Sequence, residues 1–264
     1  MKSKTAAWLL VLSSFAIPAR VAGQAPPAGA SADVQPAPKP ERPISWKKLV
    51  PNIFRDQKDI WLFPLHAGRD NHWIPLTAVL GVTSGLVALD PHDAPYFRRT
   101  DSFHGFNSVF SGSNMSYGIL AAPVTLYIAG LARKDPKMQK TSMLIGEAIA
   151  DSEIFTTVAK DVDRRLRPAA IPPNGNFSDT WFKSPGPIWR GRGSMPSGHT
   201  IAAFSIATVI SRRYGNHRWV PFAAYGLAGL VGFSRVTLSA HFVSDVFMGA
   251  ALGYSISRFT VLRQ

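Results

Sequence analysis

His199-Thr-Ile-Ala-Ala-Phe-Ser-Ile-Ala-Thr-Val-Ile-Ser211 carries no acid, lysine or arginine, and it interleaves large apolar side chains with Ala, Ser and Thr. It shows no alternation of apolar and polar residues, so it does not read as a half-buried strand. Ile74–Leu89, Ser102–Ala132, Trp219–Ser234 and Val246–Ser257 have the same character, and Ser142–Ala159 shares it while carrying Glu147, Asp151 and Glu153. Small residues at this frequency let helices approach one another closely. The pattern predicts five or six packed helices, an all-α bundle, with no repeat of 20–50 residues.

The composition agrees. Of 264 residues, 46% are hydrophobic and 17% charged, where about a quarter is usual for a soluble domain. Lys and Arg number 29 against 16 Asp and Glu, a net charge of +13 that suits an anionic partner. No nucleic-acid motif accompanies that charge, which argues against DNA or RNA. The absence of Cys excludes a disulfide scaffold, thiolate metal ligands and a Cys nucleophile, and it fits an oxidising compartment.

Residues 1–23 read as a secretory signal: Lys2 and Lys4, the apolar Ala6–Ile17, then Val21-Ala22-Gly23 as a cleavage site. The alternative is an uncleaved anchor. Residues 24–43, with six prolines, read as a flexible tether. Ile44–His72 mixes aromatic and charged residues and reads as an interfacial or packing arm, so the helical domain is expected over 44–264. Apart from Ser102–Ala132, the uncharged runs fall short of the roughly 20 residues of a membrane span. Basic segments at Arg133–Lys140, at Arg212, Arg213 and Arg218, and at the tail would be cytoplasmic, leaving Lys160–Arg192 and Arg235–Asp245 outside. That scheme conflicts with a cleaved signal followed by two spans before Arg133. A membrane-embedded or membrane-associated bundle, exported and with its outer loops on the periplasmic face, is the expectation.

Three segments carry chemistry. In Lys160-Asp-Val-Asp-Arg-Arg-Leu-Arg167-Pro168, a Lys and an Arg seven apart straddle a helix end that Pro168 stops. Such cations clamp a phosphate, Arg by its planar fork and Lys as a point charge, although alone the segment is as well read as a solvated basic loop. In Ser194-Met-Pro196-Ser197-Gly198-His199, a turn precedes an apolar helix whose first N–H groups would face an anion, with Ser197 as N-cap and His199 placed to donate a proton. An ordinary capped helix reads the same way. In Ser234-Arg235 through His241 to Asp245, the His and Asp are four apart and share a helical face, so the acid can orient the ring and leave its far nitrogen nucleophilic. A core His beside a surface Asp is the bland alternative, but it leaves ionisable groups among apolar helices unexplained.

In order and spacing, Lys160-x6-Arg167-Pro168, Pro196-Ser197-Gly198-His199 and Ser234-Arg235-x5-His241-x3-Asp245 resemble the three-part signature of the type 2 phosphatidic acid phosphatase / vanadium haloperoxidase superfamily, over roughly residues 142–257. The resemblance implies a six-helix core with a metal-free phosphoryl-transfer site and no cofactor. The residue matching its nucleophile is His241, with Asp245 orienting it and His199 protonating the leaving oxygen. Lys160, Arg167, Ser197, Gly198 and Arg235 would hold the phosphoryl oxygens. It points to a phosphatase acting on a lipid phosphate or pyrophosphate. A vanadium haloperoxidase, a non-catalytic helical protein, and phosphotransfer to an acceptor other than water are the competing readings.

Other candidates rank below these. Glu147, Asp151 and Glu153 suggest a metal site with Asp161 and Asp163, but no His accompanies them, and ion pairing with nearby Arg is expected instead. Arg190 and Arg192 either add field to the site or face solvent. Phe103–Phe110 lines a lipid entrance or, more simply, packs in the core.

Overall fold

The computed structural model describes residues 42–66, 68 and 73–263, so the expected signal and nearly all of the tether lie outside the described residues. The described chain is all-helical: α1 (Trp46–His66), α2 (Trp73–Arg99), α3 (His104–Val109), α4 (Gly112–Ala132), α5 (Pro136–Asp163), α6 (Gly198–Tyr214), α7 (Trp219–Thr237) and α8 (Val243–Ser255). A short 3-10 turn covers Pro168–Ala170, and a π-helical turn, Ile256–Val261, continues α8. The expected six-helix bundle corresponds to α2 and α4 to α8, with α1 and the six-residue α3 in addition.

Local chemistry explains the helix ends. Asp135 caps α5 by accepting from the N–H groups of Lys137 and Met138 at 2.8 and 3.1 Å, and Pro136 follows at the first helical position. The α5 helix stops where Arg164 turns left-handed at φ 43°. The Ser102–Ala132 run, read as one ample span, is divided at Phe110 and Ser111. The Ser111 hydroxyl accepts from Asn114 N–H, and the Asn114 amide donates to Ser108 O and Val109 O, so two helix ends are satisfied by two side chains.

Helix α6 lies at the centre, packed on α5, α7 and α8. It meets α8 nearly backbone to backbone. A Cβ on Gly249 would stand 2.9 Å from Ser197 O, and one on Gly253 would collide with Ile201 O. Gly130 allows the same approach of α4 to α5, where a Cβ would lie 2.9 Å from Gln139 N. Deeper in the bundle, Leu144, Ile145 and Ala148 of α5 pack with Val209 of α6 and with Ile256 and Val261. The aromatic arm is α1, and it packs: Trp61 stacks on Phe155 at 5.1 Å, and Trp46 donates to Tyr127 Oη at 2.8 Å.

Helices α2 (27 residues) and α4 (21 residues) are long and apolar enough to cross a membrane, and little of either apolar window is buried inside the protein. Leu80, Val82 and Leu89 of α2 and Leu120, Val124, Ile128 and Leu131 of α4 face outward. The α2 span exceeds the expected Ile74–Leu89 because the helix continues through Asp90 to Arg99, where the acid and bases find partners described below.

Candidate active site

Four segments converge at one end of the bundle. Lys160 sits in the last turn of α5, and Arg167 follows in extended backbone before Pro168. The Lys160 ammonium stands 3.5 Å from where a Gly198 Cβ would project, at the start of α6. Gly193 passes so close beneath that a Cβ there would strike the Lys160 carbonyl oxygen and the Asp163 carboxylate. Among the described residues neither Lys160 nor Arg167 has a hydrogen-bond or ion-pair partner. Burial, then the charge of Arg167, lowers the Lys160 pKa to about 8.

Ser197 occupies the N-cap position of α6 with extended backbone, as expected, but its side chain caps no N–H. Its hydroxyl accepts from Thr200 Oγ1 at 2.9 Å, and its N–H donates to Asp245 O at 3.0 Å. The N–H groups of Gly198, His199 and Thr200, which no preceding helical carbonyl can take, are the donors this helix start presents. The Met195–Pro196 peptide in this turn is cis.

His199 lies on the first turn of α6, with Nε2 2.9 Å from Ser116 Oγ and 3.3 Å from Gly112 O. Arg235 approaches the same spot from α7. Its Nε and Nη2 donate to Ser234 Oγ at 3.0 and 2.8 Å, Nη2 also donates to Phe110 O, and Nη1 lies 3.6 Å from the position of a Gly112 Cβ. Burial, then the charge of Arg235, lowers the His199 pKa to about 4, and Lys160 and Arg167 push the same way.

His241 and Asp245, both fully enclosed, flank the start of α8. Nδ1 of His241 lies 3.5 Å from Asp245 Oδ2. Ser194 stands beside both, 3.4 Å from that nitrogen and hydrogen-bonded to the same carboxylate oxygen. Asp245 Oδ2 also accepts from Phe242 N–H at 2.9 Å, which ties the acid to the helix start. Burial lowers the His241 pKa to about 4 against the opposing pull of Asp245. The ring is therefore neutral at pH 7.

Three residues that sequence reasoning missed complete the arrangement: Arg165, Asp90 and Ser194. Arg165 is buried between two carboxylates, with Nη1 2.7 Å from Asp245 Oδ1 and Nη2 2.7 Å from Asp90 Oδ2. Its guanidinium lies 4.0 Å from the Phe242 ring centre and 4.7 Å from that of Trp181. Asp90 reaches across from α2 and also holds the Ser244 N–H at 3.2 Å and its hydroxyl. The available signal was Asp90 itself, an acid continuing an uncharged apolar run. Nothing in Arg164-Arg165-Leu166-Arg167 distinguishes the arginine that turns inward.

Glu147 pairs with an Arg as expected, and the acidic residues do not gather around Asp161 and Asp163. Glu147 and Asp151 meet Asp56 of α1, with ligand-capable oxygens within 4.8 Å of one another, and not Asp161 or Asp163. Arg42 pairs with Asp56 at 2.8 Å and Glu147 at 2.9 Å, and Gln57 donates to Asp151 at 3.0 Å. Asp161 instead accepts from the N–H groups of Trp189 and Gly191, and Asp163 from that of Arg165 at 2.8 Å. Glu153 Oε1 lies 3.7 Å from the position of a Gly198 Cβ, near the Lys160 ammonium.

Residues 140–264 match the PAP2 superfamily, which contains all three signature segments. A lipid A 1-phosphatase of Porphyromonas gingivalis is 44% identical over 61 residues, 23% of this chain and 14% of that protein. A lipid A 4'-phosphatase of the same organism is 26% identical over 118 residues, 45% of this chain and 48% of that protein. The chain thus spans less than half the length of these two relatives. A transmembrane PAP2-type phosphatidylglycerolphosphate phosphatase of Bacillus subtilis superposes with a TM-score of 0.42 at 18% identity, covering 81% of this chain and 92% of that one.

Proposed function

We propose that this chain, whose residues 140–264 match the PAP2 superfamily, is a lipid phosphatase that works through a phosphohistidine without a metal ion. The observation that carries the reading is the cationic end of the bundle. Among the described residues Lys160 and Arg167 have no hydrogen-bond or ion-pair partner there, and they stand beside the N–H groups that open α6, the half-buried His199 and the buried His241, both rings neutral. Charge spread over the equatorial oxygens of a phosphoryl transition state needs such preorganised donors.

In the proposed sequence, Nε2 of His241 attacks phosphorus while Asp245 steadies the ring and balances its developing charge. The phosphorus–oxygen ester bond breaks, and the leaving oxygen takes a proton from His199. In the free protein, burial and then the charges of Arg235, Lys160 and Arg167 keep His199 neutral. A phosphate dianion among them reverses the local field and raises the ring toward the range of a proton donor. Water then gives its proton to His199 and attacks the phosphohistidine, which releases phosphate and neutral His241. Arg235, held by Ser234 and Phe110, is placed with Ser197 and Gly198 against the phosphoryl oxygens.

The names of the curated relatives and the exposed apolar faces of α2 and α4 favour a phosphorylated lipid, lipid A phosphate included, at a membrane. The expected export signal favours a site on the outer face. The test is phosphate release by the purified full chain over phosphatidic acid, lipid A, undecaprenyl pyrophosphate and soluble aryl phosphate, with EDTA and with vanadate. Release from a lipid that survives EDTA and is blocked by vanadate is expected. Loss in EDTA with recovery on Mg²⁺ overturns the metal-free mechanism.

A further inference from the structure

The segment between Ile171 and Gly193 runs over the active-site end and is pinned at many points. Phe182 N–H donates to Asp163 O at 3.0 Å, Lys183 and Ser184 N–H to Arg164 O at 3.0 and 2.8 Å, and Asp161 holds the Trp189 and Gly191 N–H groups. Pinned in this way, the loop still displays apolar side chains to the outside: Phe182 is 74% exposed, Ile188 63% and Trp189 73%. Phe182 and Trp189 also have left-handed backbone, φ 58° and 65°. Bulky residues held there are strained and persist only where surrounding contacts impose the conformation. The loop therefore holds its aromatic side chains outward at an energetic cost.

The loop also sits level with the ends of both membrane-compatible helices. Arg98, in the last turn of α2, donates to Ile171 O at 3.2 Å, and Gly112, the first residue of α4, touches Arg235 and His199 in the site. Any bilayer that takes α2 and α4 thus has one of its surfaces at the height of this loop. Trp and Phe favour that depth. Arg190 and Arg192, both exposed, flank the apolar residues, and the segment carries three bases against Asp179 alone. Arg beside Trp and Phe is the composition that seats on anionic headgroups.

From this geometry we propose that Phe182, Ile188 and Trp189, with Arg190 and Arg192, form a landing surface that seats the catalytic end on a bilayer with anionic headgroups. This rests on the lipid-phosphatase reading only for what the surface delivers to the site.

The full chain is reconstituted in phosphatidylcholine vesicles with or without phosphatidylglycerol, containing lipids brominated along the acyl chain. Quenching of Trp189 is read as the difference between the native chain and Trp189→Phe. Kinetics on phosphatidic acid in the vesicles and on soluble aryl phosphate are compared with those of Phe182→Ser/Ile188→Ser/Trp189→Ser. Quenching of Trp189, stronger with phosphatidylglycerol and weakened there by Arg190→Glu/Arg192→Glu, is expected. So is a rise of about tenfold in KM for phosphatidic acid with aryl phosphate kinetics unchanged. Unquenched Trp189 overturns the proposal, as does quenching indifferent to phosphatidylglycerol. If the triple variant instead loses self-association while Trp189 is unquenched, the surface binds a second copy of this chain and the proposal is overturned. A native chain that hydrolyses neither substrate overturns the phosphatase reading, and the quenching still decides the landing surface.

Discussion

At the scale of single residues, the two histidines do most to set the pH response. Each is lowered from 6.5 to about 4, chiefly by burial. Between those values the unfolded chain binds protons that the native chain refuses, so stability rises with pH through the window and is lost as pH falls toward 4. His241, the proposed nucleophile, however, stays neutral through that window. Initial rates on an activated aryl phosphate should therefore hold down to about pH 5, with the acid limb near 4; a limb at 6.5 would show that His241 is not shielded. Arg165 makes a second case. Arg165→Lys keeps the charge but cannot reach Asp90 and Asp245 together, so kcat should fall about tenfold with KM unchanged, and the acid limb should move. Arg165→Met leaves two buried carboxylates unpaired and should cost about 3–5 kcal/mol in a denaturant melt, partly restored by adding Asp90→Asn. An Arg165→Lys enzyme with native kcat and pH profile would reduce Arg165 to a packing residue. The eight candidate residues were legible because spacing exposes them, whereas Arg165 was not. Its inward turn depends on Arg164 adopting φ 43°, which no neighbouring residue type announces.

At the scale of elements, the uncharged runs marked the helices of the bundle, because an apolar stretch of that length without alternation does not fit a half-buried strand. Their ends were less legible. The break at Ser111 rests on Asn114 reaching back three and six residues, a local exchange of hydrogen bonds inside an apolar run. The extension of α2 to Arg99 rests on a tertiary partner for Asp90, 75 residues away. Close helix contact was foreseen from the small residues, and it yields a paired prediction. Gly249→Ala places a methyl 2.9 Å from Ser197 O and 3.2 Å from Thr200 Cβ. It should destabilise by about 1–3 kcal/mol and displace the turn that presents Gly198 and His199. Gly229→Ala on α7 meets nothing within 4 Å and should be neutral or stabilising by up to about 1 kcal/mol. Thermal melts beside kcat for the two variants separate a close helix joint from a general sensitivity to glycine replacement.

At the scale of the whole molecule, the chain carries a net charge of +13, and part of it meets at the site, where Arg167 opposes the charge on Lys160 and both, with Arg235, oppose a charge on His199. The bundle is therefore expected to be less stable without an anion than with one. Vanadate at a hundredfold excess over its Kd should stabilise the native chain by about 2.7 kcal/mol, seen as a rise in Tm. Lys160→Met should raise Tm in phosphate-free buffer and lose most of the vanadate response; a full response in that variant would place Lys160 outside the clamp. The glycine contact between α6 and α8 has a further consequence for how such a protein can change over time. Ser197, His199, His241 and Asp245 are spaced by one backbone resting on another, with Gly249 and Gly253 allowing no intervening layer of side chains. Substitutions in the apolar core can accumulate without altering that spacing, and the exposed Phe182, Ile188 and Trp189 lie on a different part of the chain. Ancestral drift or laboratory selection can therefore retune which molecules reach the site while the spacing of these four side chains is inherited intact.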